Sequence, residues 1–152
     1  MALEIAQLLT SKGALVSLAD QNTEGLEKAL KTLTGSKHIA TTIDVRDGAQ
    51  VEQWIEKTFQ TYGRLDGAVN FAGICPFSKH ITEESEELFR KVMDINLMGI
   101  FHCLKSQLKR MKAGGAIVSL SLYQLSPCTG WVDFCLLPTH THHLPMLSKS
   151  EV

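Results

Sequence analysis

Apolar residues recur at helical intervals from the start of the chain. Leu3, Ile5, Ala6, Leu8 and Leu9 form a stripe that predicts a helix over residues 3–12, with Gly13 as its C-terminal cap. The period then changes. Residues 14–20, ALVSLAD, are a short apolar run ending on an acid and read as a strand. Leu26, Leu30 and Leu33 predict a second helix from about Thr23, ended by Gly35. Residues 38–43 read as a strand leading into Asp44 and Val45. Asp47 with Gln50 three positions on has the form of a capping box. It opens a helix with Val51, Trp54, Ile55, Thr58, Phe59 and Tyr62 on one face, closed by Gly63. LDGAVNFAG, residues 65–73, is a strand running into a glycine-bearing turn. Thr82, followed by Glu83 and Glu84, predicts the start of a long helical stretch to about Met111, its acids suited to the positive end of the helix dipole. Asn96 and Gly99 mark a bend inside it, and residues 116–121 form one more strand.

Helix and strand thus alternate, and the strands are continuous apolar runs rather than alternating ones. Both features predict an α/β fold, a parallel sheet covered by helices on both faces. Ligands of such sheets bind at the carboxyl ends of the strands. Asp20, Asp44, Asn70 to Gly73, and Ser121 stand there.

Composition narrows the function. A net charge of −1 supplies no basic field for nucleic acid or an anionic membrane. No run approaches the roughly 18 apolar residues of a membrane span, and the first residues lack the basic start of a signal peptide. Cys75, Cys103, Cys128 and Cys135 contain no C-x-x-C pair, so reduced thiols in a cytoplasmic protein are expected.

Five segments carry a resemblance. LLTSKGALVSLAD, IDVRD, LDGAVNFAG, MDINLMGIFHCLKSQLKRM and GGAIVSLS, in this order and spacing, resemble the short-chain dehydrogenase/reductase (SDR) family over about residues 2–121. The resemblance implies a Rossmann-type doubly wound sheet binding a nicotinamide dinucleotide. It gives Asp20 the role of accepting the adenosine ribose hydroxyls and repelling a 2′-phosphate, which implies NAD as cofactor. Asp44 and Val45 match the pair that contacts adenine. Asn70, Ala72 and Gly73 match a cofactor-side signature in which Phe71 replaces a second Asn. Asn96 matches the asparagine whose helix bend holds a water of the proton relay. The helix over residues 83–111 matches one that pairs subunits, implying a homo- or hetero-oligomer.

The departures are equally specific. The family pattern begins with a strand and a T-G-x-x-x-G-I-G loop, whose glycines let the backbone approach the pyrophosphate. Here Met1 and Ala2 fall where that loop would end. The expected sheet is therefore incomplete, lacking its first strand and its last strands. A lost central strand removes several buried side chains worth about 1.5–3 kcal/mol each, from a folding margin of about 5–15 kcal/mol. Poorly cooperative unfolding is expected. Ser121 matches the first of two serines, and Leu122 takes the place of the second, which would polarise the substrate carbonyl. Cys135 and Thr139 stand where the resemblance would put the Tyr and Lys of a Tyr-x-x-x-Lys pair. The chain's two tyrosines, Tyr62 and Tyr123, are not followed by such a lysine.

Residues 1–121 are accordingly expected to form a partial NAD(P)-binding domain and residues 122–152 an irregular tail. The break at Leu122 predicts a change of coding frame or splice there, and the start at Met1 a shortened gene product. His140, His142 and His143 with Cys128 and Cys135 match no zinc spacing, so no metal is expected. Two readings follow. One is an NAD-dependent oxidoreductase of a secondary alcohol or ketone, inactive in this form. The other is a non-catalytic remnant or partner chain.

Overall fold

The computed structural model describes residues 1–76 and 81–120. Helix α1 (Ala2–Ser11) ends in a Schellman turn: Gly13, at φ 87°, donates to the Thr10 carbonyl and Ala14 to that of Leu9. Strand β1 (Ser17–Asp20) follows. Helix α2 (Thr23–Leu30) is capped by Asn22, whose side chain accepts from the Gly25 amide. It leads to β2 (Ile39–Thr42), which pairs with β1 in parallel.

Helix α3 (Gly48–Tyr62) starts at Asp47, whose carboxylate accepts from the Ala49 and Gln50 amides. Gln50 does not close the reciprocal half of the expected capping box. Its Nε2 donates to Asp47 and its Oε1 accepts from the Asp44 amide, so the residue ties the helix start to the end of β2 instead. Gly63, at φ 71°, closes α3. Strand β3 (Leu65–Asn70) comes next.

The long helical stretch is broken into parts. A single 3₁₀ turn spans Ile81–Glu83, and α4 (Glu86–Met93) is capped by Ser85, not Thr82. A π-helical turn (Asp94–Gly99) is the bend expected at Asn96 and Gly99, and α5 (Ile100–Arg110) continues from it. Strand β4 (Met111–Ser119) pairs with β3 in parallel. It starts earlier than the apolar run predicts, with an irregular register around Gly114.

The described strands form two separate parallel pairs, β1–β2 and β3–β4. Helix α3 links them. Ile43, Val51 and Cys103 are buried together, with Ala19, Val45 and Trp54 packed against them. Trp54 Nε1 and Thr58 Oγ1 both donate to Ser17 Oγ, at 2.8 and 2.7 Å, fixing α3 to β1. Helix α3 also touches β3 and α5. Helix α2 packs on β1 and β2. The leucines of α1 stay largely in solvent, Leu8 most of all at 57% exposure, although their spacing is that of a buried stripe. Among the described residues no helix is long and apolar enough to cross a membrane.

Candidate functional site

The carboxyl ends of the strands are drawn to one place by the bent helix. Its Gly99 and His102 lie against the loop after β2: a Cβ on Gly99 would stand 2.8 Å from Val45 Cγ2, and His102 Nδ1 is 3.0 Å from the Val45 carbonyl oxygen. One turn earlier, Asn96 reaches the loop after β3. Its Oδ1 accepts from the Ile74 amide at 2.9 Å, and its Nδ2 donates to the Ile74 carbonyl at 2.8 Å. The π turn accommodates both contacts. A wider turn changes the residue spacing of the helix face and loosens its carbonyl ladder. Asn96 therefore holds the Gly73–Ile74 turn with its side chain.

The candidate residues sit as follows. Asp20 is exposed at the end of β1, with Oδ1 accepting from the Asn22 amide at 2.9 Å. Asp44 Oδ1 accepts from the Arg46 amide and the guanidinium grips both its oxygens. Those Arg46 hydrogen bonds hold the Asp44 carboxyl below its ordinary range. Val45 turns its side chain inward, against Gly99. Ala72 is exposed, and Gly73 lies close under Asn96, where a Cβ would meet Oδ1 at 3.4 Å. Ser121 lies outside the described residues, as do Leu122, Tyr123, the histidine-cysteine tail and the whole of the 122–152 expectation.

Asn70 does more than its motif position indicates. Its Nδ2 donates to Gln107 Oε1 at 3.0 Å while Gln107 Nε2 donates back to Asn70 Oδ1 at 2.7 Å. Asn70 Nδ2 also lies 3.3 Å from Ser119 Oγ. Asn70, Gln107 and Ser119 thus bolt β3, α5 and β4 together just below the strand ends. Gln107 is 1% exposed; it stands within MDINLMGIFHCLKSQLKRM, four positions after Cys103 and three after Leu104, with nothing local to mark it as buried.

Two ionisable side chains are held in structural roles. Tyr62 stands at the opposite end of β1, its hydroxyl 2.7 Å from the Lys37 carbonyl oxygen and 3.0 Å from that of Val16. Burial raises its pKa. Burial also pushes the Cys103 thiol up to about 11, so it is no thiolate at neutral pH.

Comparison with known proteins decides the family. The profile described as enoyl-(acyl carrier protein) reductase matches residues 1–129. The chain belongs to the short-chain dehydrogenase/reductase family. The SDR relative aba4 of Botryotinia fuckeliana is 40% identical over 127 residues, covering 80% of this chain and 49% of its own. The crystal structure of levodione reductase superposes with a TM-score of 0.70 at 36% identity, over 77% of this chain and 47% of its own. The F189W actinorhodin polyketide ketoreductase with NADPH gives 0.69 at 34%, over 77% and 47%. The chain thus spans about half the length of the SDR proteins it matches. Its fold is the corresponding part of the Rossmann-type sheet, and its family is one of oxidoreductases.

The Asp44–Arg46 pair gives the site a measurable signature. A carboxyl depressed in the folded state stabilises the fold above its unfolded pKa, and that contribution is lost as pH falls through the folded value. Replacing Arg46 by Met removes the leading cause. The Asp44 carboxyl resonance should then titrate at higher pH by NMR; an unmoved midpoint would show that the pair does not hold in solution.

Proposed function

We propose that the chain carries the adenosine-side half of a cofactor site for an NAD-dependent dehydrogenase or reductase of a secondary alcohol or ketone. The observation that carries it is Asp20, an exposed carboxylate at the end of β1 with only the Asn22 amide bound to it among the described residues. A carboxylate so placed can accept both hydroxyls of a ribose and opposes a 2′-phosphate by charge. The residues around it fit an adenine nucleotide. The Asp44–Val45 backbone is held still by Arg46, Gln50 and His102. Ala72 and Gly73 let a ligand come close to the backbone. When bound, the dinucleotide supplies the hydride chemistry. This chain's part is to seat the adenosine through Asp20 and Asp44, and to hold the 73–74 turn at a fixed height through Asn96. A cytoplasmic setting goes with a nicotinamide cofactor and with Cys75 and Cys103, which are free among the described residues.

The test is a fluorescence titration of NADH and NADPH with the full chain and with Asp20→Ser. The expected result is a preference for NADH that Asp20→Ser reduces about tenfold, the loss of a charge-assisted bond of about 1.5 kcal/mol. Equal binding of both cofactors by the parent chain would overturn the NAD assignment.

A second reading, a non-catalytic partner chain in an oligomer, is favoured by the bent helix. Phe101 and Leu108 are 51% and 65% exposed on one side of α5, and Leu97 and Met98 precede them in the π turn. Absence of dinucleotide binding, together with concentration-dependent sedimentation, would select it.

A further inference from the structure

One peptide unit joins the bent helix to the Asp44 carboxylate. Its carbonyl is that of Val45, which can only accept, so the hydrogen sits on His102 Nδ1, 3.0 Å away. Its amide is that of Arg46, which donates to Asp44 Oδ1 at 3.0 Å. His102 therefore holds one end of a rigid plane whose other end holds Asp44. The imidazole is itself seated. It is half-buried against Gly48, the first residue of α3, where a Cβ would stand 3.2 Å from Cδ2 and 3.3 Å from Nε2. The same helical stretch grips the Val45 side chain at Gly99, so carbonyl and side chain are fixed from one side. The Asp44 amide is tied separately, to Gln50 Oε1.

The carboxylate so held has room for one more donor. An ionised carboxylate offers about four acceptor directions. Arg46 supplies three hydrogens, from its backbone amide, Nε and Nη2. One direction is left open among the described residues. The Arg46 hydrogen bonds also keep the group ionised, so it accepts and cannot donate. A group that takes one N–H and gives none separates purine bases by the atom on carbon 6. Adenine carries an amino group there. Hypoxanthine carries a carbonyl oxygen, which would meet the carboxylate lone pair to lone pair. We propose that His102 is a positioning residue for base selection: by holding the Val45 carbonyl it fixes the peptide that orients Asp44, so that the open acceptor direction takes the 6-amino group of adenine and refuses a 6-oxo base. This rests on the adenosine-side reading of the site, and adds to it the residue that sets the choice of base.

The experiment titrates the full chain with NADH and with reduced nicotinamide hypoxanthine dinucleotide, followed by fluorescence, for the parent, His102→Leu and His102→Asn. Asparagine keeps an N–H donor near the place of Nδ1; leucine keeps the bulk alone. The parent is expected to prefer NADH by about tenfold or more, the effect of one hydrogen bond to a charged group. His102→Leu should shrink that preference to about twofold, and His102→Asn should keep most of it. A loss of stability alone would weaken both ligands alike and leave their ratio unchanged. The ligand-free chain gives a second readout. The Asp44 carboxyl resonance should titrate at higher pH in His102→Leu, because the Arg46 amide holds it less well, and return toward the parent in His102→Asn. A preference unchanged in His102→Leu, or lost equally in His102→Asn, would overturn the proposal. So would an Asp44 midpoint that stays put in His102→Leu while NADH still binds. Failure of the parent to bind either dinucleotide would instead sink the adenosine-side reading, and base selection with it, whatever the Asp44 midpoint does.

Discussion

Gln107→Leu is expected to loosen the β3–α5 contact by about 2–4 kcal/mol. The side chain is buried and exchanges two hydrogen bonds with Asn70. Leucine has nearly the same volume, so little of the loss comes from a cavity. It comes from stranding the Asn70 amide, each buried polar group left unpaired costing about 1–3 kcal/mol. Asn70 Nδ2 keeps Ser119 Oγ within reach, but among the described residues its Oδ1 loses its side-chain donor, Gln107 Nε2. Native-state exchange of the β3 and α5 amides should accelerate by about 30- to 1000-fold, at a factor of ten per 1.4 kcal/mol. Replacing Asn70 as well, by Leu, should cost less than the sum of the two single changes, because the second removes the stranded group. Exchange unchanged in Gln107→Leu would mean that water satisfies the amide pair in solution.

What could be read beforehand divides along physical lines. Local chemistry was legible. Gly13 and Gly63 stand in the left-handed conformations that end their helices, and Asp47 caps α3, because these depend only on neighbours in sequence. The alternation of strands and helices was legible for the same reason, and with it the α/β class. What depended on distant partners was not. Thr82 and Ser85 are both capping residues followed by acids; the chain path after β3 selects Ser85. The leucines of α1 have a core-forming period, yet Leu3, Leu8 and Leu9 are 40%, 57% and 39% exposed. Helix α5 reverses the usual reading. It buries Cys103, Ser106 and Gln107 and exposes Phe101 and Leu108, because small and amide side chains are what fit against α3 and Asn70. Motif position indicated the candidate residues at the strand ends; Arg46, His102 and Gln107 lie inside the same motif segments, but nothing local to them shows that they hold those residues.

Gly99→Val is expected to cost about 2–3 kcal/mol and to weaken dinucleotide binding with it. Glycine inside a helical segment is unfavourable by about 1 kcal/mol relative to alanine, so a contact must require it. That contact is Val45: a Cβ at Gly99 would lie 2.8 Å from its Cγ2 and 3.1 Å from its Cβ, closer than carbon atoms pack. Valine adds two further methyls in the same direction. Overpacking of this kind costs about 1–3 kcal/mol, reduced here only slightly by valine's weak gain in helix propensity. The strain has one soft outlet, displacement of the loop after β2. That loop carries Asp44 and also the Val45 carbonyl beside His102. A urea midpoint lowered in Gly99→Val, and partly restored by Val45→Ala in the same chain, would locate the cost in this one contact. If NADH binding falls in the single variant and recovers in the double, the bent helix sets the height of the adenosine-side loop. Stability lost without any recovery on trimming Val45 would place the strain in the π turn itself.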